Sequence, residues 1–574
     1  LIIGVLGGIL IGCVCGAFNG FLVSYLNVQP MVATLILFSA ARAIGLLLCN
    51  NMIVYVREDS FKIFGGYLGF IPTPIVVAAV CIIITSLILK KTALGLYVQS
   101  VGINKKASRI AGIKSERIIF LCYIVCGLCA GIAGIVASSR ISSADSNNIG
   151  LNFELDAILA VALGGNSLGG GKFRLTGSII GAYTIQAITT TLYALGVSTE
   201  QAPVYKAVIV IIIVAIQAPP FKDYMKKMSA KRRCRIMKKK KMNGNTVLLI
   251  ITIVLFFVMY AVGCAIYANK GFTHLQTFLN VLINNAGLLC ITCGMTCVML
   301  TGGIDISVGS LVAMDCMFLA VGMERWNMNA VVLCILVLLI GVVFGIVQGF
   351  CVGYLNIQPF IVTMAGMFFA RGMTAVICTD QVSISSNEFF VKLANAKIKL
   401  PFGSYVNGKG VVQVPFIRIS VVVALVVLVV VFLMLRYTKF GRSLYAVGGS
   451  EQSATMMGLD VKKTKLKAYV LSSFLCSIGG ICYCLNTMSG NVQQALGLEM
   501  DAIASSVIGG TLLTGGVGNV IGSFFGVLIN GTISTLVKTN GKLLSSWSSI
   551  AVAALLCFFI VLQSIFAKMK ESSK

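Results

Sequence analysis

The stretch GGNSLGGGKF, residues 164–173, carries the glycines and the lysine of a phosphate-binding loop. In that chemistry the backbone amides of G-x-x-x-x-G-K cradle phosphates, and the following Ser or Thr holds magnesium. Here Asn166 stands where the first Gly belongs, and Phe173 stands where the hydroxyl belongs. No other segment offers the motif. The chain is therefore expected to have no ATPase of its own, to do no covalent chemistry and to bind no cofactor. The glycines of 164–181 and 509–526 suit close helix approach or broken spans instead. A second set of candidates is ionisable. Asp156, Asp305, Asp315, Asp501, Arg42 and Arg371 lie in or beside apolar runs, where charge is costly and functional by default. Glu154 with Asp156, and Glu499 with Asp501, open such runs and also suit a helix N-terminus. Asp305 sits in TGGIDISVGS, a Gly-flanked break that suits a cavity lining better than lipid.

Thiol and imidazole chemistry is sparse by pattern. Most of the 20 Cys lie singly within apolar runs, and neither Cys13/Cys15 nor Cys482/Cys484 has C-x-x-C spacing. Such thiols behave as small apolar residues. The single His, His274, makes neither a metal cluster nor a proton relay, so no metal site is expected.

The elements that must hold these residues are membrane helices. The chain has 574 residues, 58% of them hydrophobic and 11% charged, with a mean hydropathy of +0.96. That composition belongs to membrane proteins. Continuous apolar runs at 247–267, 331–355, 416–435 and 548–566 are long enough to cross a bilayer as helices and lack the period of two of a barrel strand. The expected fold class is an all-α integral membrane protein. The net charge of +27 has a local source: residues 221–245 hold eleven Lys and Arg against one Asp. Between spans this reads as a cytoplasmic loop that also touches anionic lipid, rather than as a nucleic-acid patch.

The chain repeats itself. NVQPMVATLILFSAARA at 27–43 returns as NIQPFIVTMAGMFFARG at 356–372, an offset of 329. FELDAILAVALGG at 153–165 returns as LEMDAIASSVIGG at 498–510, an offset of 345. Between these anchors the offset reaches 346, so the second copy carries 17 more residues, with 379–414 the natural place for them. Both copies run in the same direction, unlike an inverted repeat. The expected domains are a first half at 1–220 with about seven membrane segments, a basic linker at 221–245, and a second half at 246–574 with about ten. The seven are 2–26, 30–48, 71–89, 117–137, 155–168, 176–195 and 204–216. Leu1 aligns with Ala330, so the first copy has no counterpart of about 242–329. It is expected to be N-terminally truncated by about three spans.

Two polar islands stand between apolar runs: GINKKASRIAGI at 102–113 and GGSEQSATMMGL at 448–459. Each lies in a Lys/Arg-rich, hence cytoplasmic, loop and reads as a short helix opened and closed by Gly. Matched placement in both copies points to a docking surface for two copies of one partner, against a plain solvated loop.

Several motifs carry a family resemblance: TGGIDISVGS, YAVGGSEQSATMMGL, LEMDAIASSVIGGTLLTGGVGNVIGS, KTALGLYVQSVGINKKASRIAGI and LDAILAVALGGNSLGGGKF. Together they resemble the permease subunits of monosaccharide ABC importers of the ribose/galactose class, in the branched-chain-type transmembrane family. They are most similar to the two unlike galactofuranose-type permeases, here joined head to tail. The resemblance covers almost the whole chain. It implies two tandem, same-orientation permease folds that move a sugar, galactofuranose first, into the cytoplasm. It also implies that two ATPase subunits, which hold ATP and magnesium, dock on the islands. The coupling helices would comprise Gly102, Lys105, Ala107, Arg109 and Gly112 in the first copy, and Gly448, Glu451, Ala454 and Gly458 in the second. An extracytoplasmic sugar-binding protein is the other implied partner, and a multi-pass position in the plasma or inner membrane is the implied location. Asp305, Ser307, Asn19, Gln348, Asn166 and Thr511 are the candidate substrate pathway. Asn27, Gln29, Asn356 and Gln358 also offer amides to sugar hydroxyls, although Gln29-Pro30 and Gln358-Pro359 read equally well as turns. Two departures stand out: the first copy has no GIDIS segment, and Phe173 replaces Gly518. The alternatives are import of ribose or galactose, or an ion-coupled secondary transporter.

Overall fold

The computed structural model describes residues 1–68, 71–151, 153–166, 170–171, 173–198, 201–205, 244–401, 403–406, 412–541, 544 and 546–572. Apart from residues 204–205 and 244–245, the expected span at 204–216 and the basic linker at 221–245 lie outside them, as does Ser167. Among the described residues, nine helices are long and apolar enough to cross a membrane, or ten if one bent pair counts as a single span. The protein is multi-pass and its spanning elements are helical, because a backbone in lipid must satisfy its polar groups within each helix. Two compact units form, Leu1–Ala187 with Ser549–Lys574, and Ile188–Ser548.

The first copy contains α1 (Ile2–Ser24), α2 (Pro30–Leu48), α3 (Thr73–Lys91), α4 (Ala93–Ile103), α5 (Lys105–Ile110), α6 (Ser115–Ile141), α7 (Phe153–Leu163) and α8 (Leu175–Ala194). The second begins with α9 (Gly244–Ile266), α10 (Leu275–Asn284), α11 (Ala286–Leu300) and α12 (Val308–Glu324). It continues with α13 (Ala330–Gly353), α14 (Pro359–Ile377), α15 (Glu388–Asn395), α16 (Ile419–Tyr437), α17 (Lys439–Gly449) and α18 (Glu451–Met456). It ends with α19 (Val461–Thr487), α20 (Leu498–Ile508), α21 (Val520–Asn540) and α22 (Ser546–Ser572). The repeat offsets carry α1–α8 onto α13, α14 and α16–α21 almost bound for bound. The 17 extra residues fall at 378–418, where α15 and short antiparallel ladders such as Lys397–Lys399 with Phe416–Arg418 stand.

Small residues set the central crossing of each copy. In the first, α1 meets α6 so closely that a Cβ on Gly12 would lie 2.4 Å from the Gly127 carbonyl oxygen. In the second, α13 meets α19 through Gly345, whose Cβ would lie 2.7 Å from the Val470 Cα. Lipid provides no hydrophobic drive for helix association, so such crossings depend on close van der Waals contact.

The apolar stretch 155–168, expected to span, does not. Its helix α7 has 11 residues, a rise of only about 16 Å against a hydrocarbon core of about 30 Å. Its counterpart α20 has the same length. Each is followed by a glycine turn and then by α8 or α21. The turn is closed by glycine contacts: Cβ atoms on Gly177 and Gly522 would lie 2.3 and 1.9 Å from the carbonyl oxygens of Gly164 and Gly509.

The two membrane-depth arginines are loop fasteners. Arg42 Nη1 donates to the carbonyls of Ser146 and Asn147 at 2.8 and 2.9 Å, and Arg371 Nη1 donates to those of Val492 and Gln494, both at 2.7 Å. A two-residue antiparallel ladder adjoins each loop, Val54–Tyr55 with Ser143–Ala144 and Val382–Ser383 with Ser489–Gly490. Charge-assisted bonds of this kind contribute about 1.5–3 kcal/mol each. Arg371→Gln is therefore expected to lower the detergent melting temperature by several degrees, with Arg371→Lys recovering part of it. Equal melting of all three proteins would contradict this role.

Candidate functional site

Among the described residues, the second copy contains one broken span. α10 and α11 bend by 55° at their junction, and beyond α11 the backbone leaves helical geometry over 301–307 before α12 begins. Irregular backbone at membrane depth survives only where protein or water satisfies it. Here protein does so. Asp305 is fully buried. Its Oδ1 accepts from the Ser307 amide at 3.1 Å and from Ser307 Oγ at 2.5 Å, and its Oδ2 accepts from Ser472 Oγ at 3.2 Å. Gln348 Nε2 donates to Ser307 Oγ at 2.9 Å. Tyr469 OH and Thr363 Oγ1 donate to the Ile304 carbonyl at 3.3 and 3.4 Å. Asp305, Ser307 and Gln348 thus come together as the sequence reading grouped them. They form a buried knot joining the break to α13, α14 and α19, rather than a lining open to a cavity. Ser472 and Tyr469 were missed; they lie more than 160 residues away on α19, and no spacing signals them.

The remaining candidates do not join this knot. Gln348 aligns with Asn19 of α1, and each keeps one side-chain oxygen without a hydrogen-bond partner, Oε1 and Oδ1 respectively. Asn166 fastens the turn between α7 and α8. Its Oδ1 accepts from the Arg174 amide at 2.7 Å, and its Nδ2 donates to Ser178 Oγ at 2.8 Å. Thr511, its counterpart, is fully buried beside Gly518. Asp315 is buried on α12 facing Gly480 of α19. Glu499 and Asp501 lie in the first turn of α20, and Glu154 and Asp156 in that of α7. The Glu499 carboxylate also reaches the first turn of α12 at Gly309, so it serves two helix N-termini. Asn27 and Asn356 have φ of 52° and 50°, and Gln29 and Gln358 precede the first residue of α2 and α14. The Gln-Pro pairs are therefore turns at helix starts.

The islands are helix pairs with one geometry. Thr92 caps α4 and Thr438 caps α17; Asn104 caps α5 and Ser450 caps α18. The short helices end at Gly112 and Gly458, with φ of 82° and 79°, values that favour glycine. They do not open with glycine. Gly102 and Gly448 lie inside the preceding helices, packed on the glycine turns that follow α7 and α20: a Cβ on Gly102 would lie 2.7 Å from the Gly171 nitrogen. A Cβ on Gly448 would lie 1.8 Å from the Leu300 carbonyl oxygen and 2.4 Å from the Gly516 nitrogen. The Gly516 amide itself donates to that Leu300 carbonyl at 2.9 Å. The second island therefore abuts the end of α11, where the broken segment begins.

The island surfaces differ in charge. Lys105 Nζ donates to Asn27 Oδ1 at 3.3 Å, and Arg109 pairs with Glu116. In the second copy Glu451 pairs with Lys465. Asp460 caps α19, and the Lys463 amide and side chain hold its carboxyl below the usual carboxylate range. Ala107 is exposed but Ala454 is fully buried. At the offset of 346, Ala454 matches the buried Ser108. Among the matched positions exposed in both copies are Ile110 and Met456, large apolar side chains 89% and 66% exposed.

A family described as "Branched-chain amino acid transport system / permease component" matches residues 1–217 and again 277–561. The inner membrane ABC transporter permease protein YjfF of Escherichia coli (strain K12) is 38% identical over 293 residues, 51% of this chain and 85% of that protein. The fructose import permease protein FruG of Bifidobacterium longum (strain NCC 2705) is 36% identical over 312 residues, 54% of this chain and 88% of that protein. The galactofuranose transporter permease protein YtfT of E. coli (strain K12) is 42% identical over 221 residues, 38% of this chain and 65% of that protein. No solved structure matches.

Proposed function

The chain belongs to the branched-chain amino acid transport system / permease component family, with two tandem copies of its permease domain, and from that premise we propose that it forms the membrane path of an ATP-driven monosaccharide importer. Galactofuranose is the first-choice cargo. ATPase subunits dock on α5 and α18, and an extracytoplasmic binding protein delivers the sugar. The observation that carries this reading is the contact of Gly448 with Leu300 and Gly516. A push on α18 moves α17, and α17 cannot move without displacing the end of α11 and the turn after α20. The break fastened by Asp305, Ser307, Gln348 and Ser472 lies directly beyond that end of α11. In such a scheme the knot, Gln348 included, positions the broken span, and Asn19, which stands outside the knot and keeps its Oδ1 without a hydrogen-bond partner, is the side chain nominated to receive a sugar hydroxyl.

Relatives named for galactofuranose and for fructose support a sugar as cargo. A ribose import permease protein of E. coli (strain K12), 34% identical over 220 residues, makes ribose the competing cargo. The test is uptake of labelled sugars by cells that express the chain with an ATPase and a binding protein. Galactofuranose is expected to enter in an ATP-dependent manner and to be chased by its unlabelled form. Strong ribose uptake without competition from galactofuranose would reject the cargo and keep the importer. Uptake that follows an ion gradient and ignores ATP would reject both.

A further inference from the structure

Asp305 and Asp315 are both fully buried in the second copy, and the protein surrounds them in opposite ways. Three donors converge on Asp305: the Ser307 amide, Ser307 Oγ and Ser472 Oγ. Asp315, in the middle of α12, has no hydrogen-bond partner on either oxygen. It is pressed against α19, where a Cβ on Gly480 would lie 2.9 Å from Oδ2. The two thiols beside it direct their protons elsewhere: Cys316 Sγ donates to the Gly480 carbonyl at 3.6 Å, and Cys476 Sγ to the Val308 carbonyl at 3.2 Å. Ser477 of α19 faces the carboxyl without closing a bond to it, and its Oγ is also unpartnered. Beside Ser477, α13 presents Gly341, whose Cβ would lie 2.3 Å from that Oγ, and a glycine brings no side-chain donor. The charged groups packed on α12 are engaged at its ends. Glu499 reaches Gly309 in its first turn, and Glu324, its last residue, accepts from the Ser385 and Ser386 amides. Arg371 of α14 donates to the Val492 and Gln494 carbonyls. Among the described residues, no Lys, Arg or His side chain pairs with Asp315.

We propose that Asp315 is a proton-binding site in the core of the second unit, its carboxyl held as the neutral acid at neutral pH with the hydroxyl directed at Ser477 Oγ. A bare carboxylate in a low-dielectric interior needs a counter-charge or several donors, and without them the group takes up a proton instead. Asp305 has the donors; Asp315 has neither. A metal ion is a poorer occupant. A hard cation takes about six oxygen ligands, whereas this carboxyl meets a glycine, two committed thiols and one hydroxyl. Among the described residues, no group of three or more His, Cys, Asp or Glu side chains could hold a metal ion. A proton needs only one acceptor. Ser477 provides it, while its own hydroxyl turns to the Ser473 carbonyl one turn back, a common bond for serine within a helix. Loss of the proton would leave a charge where α12 meets α19 at Gly480, so the proton also holds these two helices together.

The test is infrared spectroscopy of the full chain in lipid bilayers at neutral pH, comparing wild type with Asp315→Asn and Ser477→Ala. The wild-type spectrum is expected to contain a carboxylic-acid C=O band that Asp315→Asn removes, and that does not move when sodium is exchanged for potassium. Ser477→Ala should keep this band and shift it to higher frequency, because the acid loses its hydrogen-bond acceptor. If Asp315→Asn removes carboxylate bands instead, the group is ionised and the proposal is overturned. Carboxylate bands that follow the sodium exchange would then assign the site to a cation, and bands that ignore it would assign the charge to bound water. Should Asp315→Asn fail to insert, Ser477→Ala decides alone: a shifted carboxylic-acid band supports the proton site, and a spectrum with no shift in that region overturns it.

Discussion

A chain carrying Ile110→Glu and Met456→Glu is expected to insert normally, yet to lose ATP-driven sugar uptake by at least about thirtyfold. These two side chains occupy the same place in the two copies and are 89% and 66% exposed on helices too short to span anything. Large apolar groups held out in this way fit the centre of an interface, where truncating or charging one anchor costs about 2 kcal/mol or more. Each 1.4 kcal/mol is a factor of ten in affinity, so one substitution weakens docking about thirtyfold, and two abolish it at cellular concentrations. Single variants should keep partial uptake, because the other island still holds its ATPase. The measurement pairs uptake with recovery of the ATPase on the purified chain. Wild-type uptake in the double variant would mean that the islands are solvated loops. Ala454→Glu would not serve here. That alanine is fully buried, and a charge there would destabilise the fold itself.

The correspondence between copies was legible because a duplicated fold keeps its residue offsets. The step from 329 to 346 located the extra α15 and its ladders, and the paired Asn-x-Gln-Pro segments became paired turns. What failed did so for physical reasons. The apolar stretch 155–168 is hydrophobic enough to span, but hydropathy does not record that Gly164 and Gly165 turn the chain after 11 helical residues. Ala107 and Ala454 looked alike by residue type, while the helix faces pair Ala454 with Ser108. Arg42 and Arg371 read as charges at membrane depth. Their role as loop clamps depends on carbonyls more than 100 residues away. The Asp305 knot was half legible: Asp305 and Ser307 are two residues apart, but Ser472 enters from another helix. Long-range partners leave no local periodicity, and a carboxylate in a glycine-flanked break reads the same whether it faces a cavity or a serine.

Gly448→Ala is expected to be among the most damaging single-methyl changes in the chain, while Gly449→Ala beside it is nearly silent. The added methyl of Gly448→Ala would lie 1.8 Å from the Leu300 carbonyl oxygen and 2.4 Å from the Gly516 nitrogen, whereas nothing stands within 4 Å of the same methyl on Gly449. Both groups facing Gly448 are backbone, and they are joined by a 2.9 Å hydrogen bond. Neither can rotate away as a side chain would, so α17 must shift or the bond must break. Overpacking of this kind costs about 1–3 kcal/mol, and more where backbone must move. The change sits between the α18 island and the end of α11, so its effect should exceed the loss of stability. At a temperature where both variants remain folded, Gly448→Ala should hydrolyse ATP in the assembled importer with little sugar movement, while Gly449→Ala keeps the wild-type ratio of sugar moved to ATP consumed. Gly102→Ala supplies a graded comparison, since its methyl would lie 2.7 Å from a single nitrogen, that of Gly171. It should melt closer to wild type and lose less coupling. If Gly448→Ala lowers the melting temperature but leaves the ratio unchanged, the glycine contact stabilises the fold without transmitting motion, and the route from island to broken span must run elsewhere.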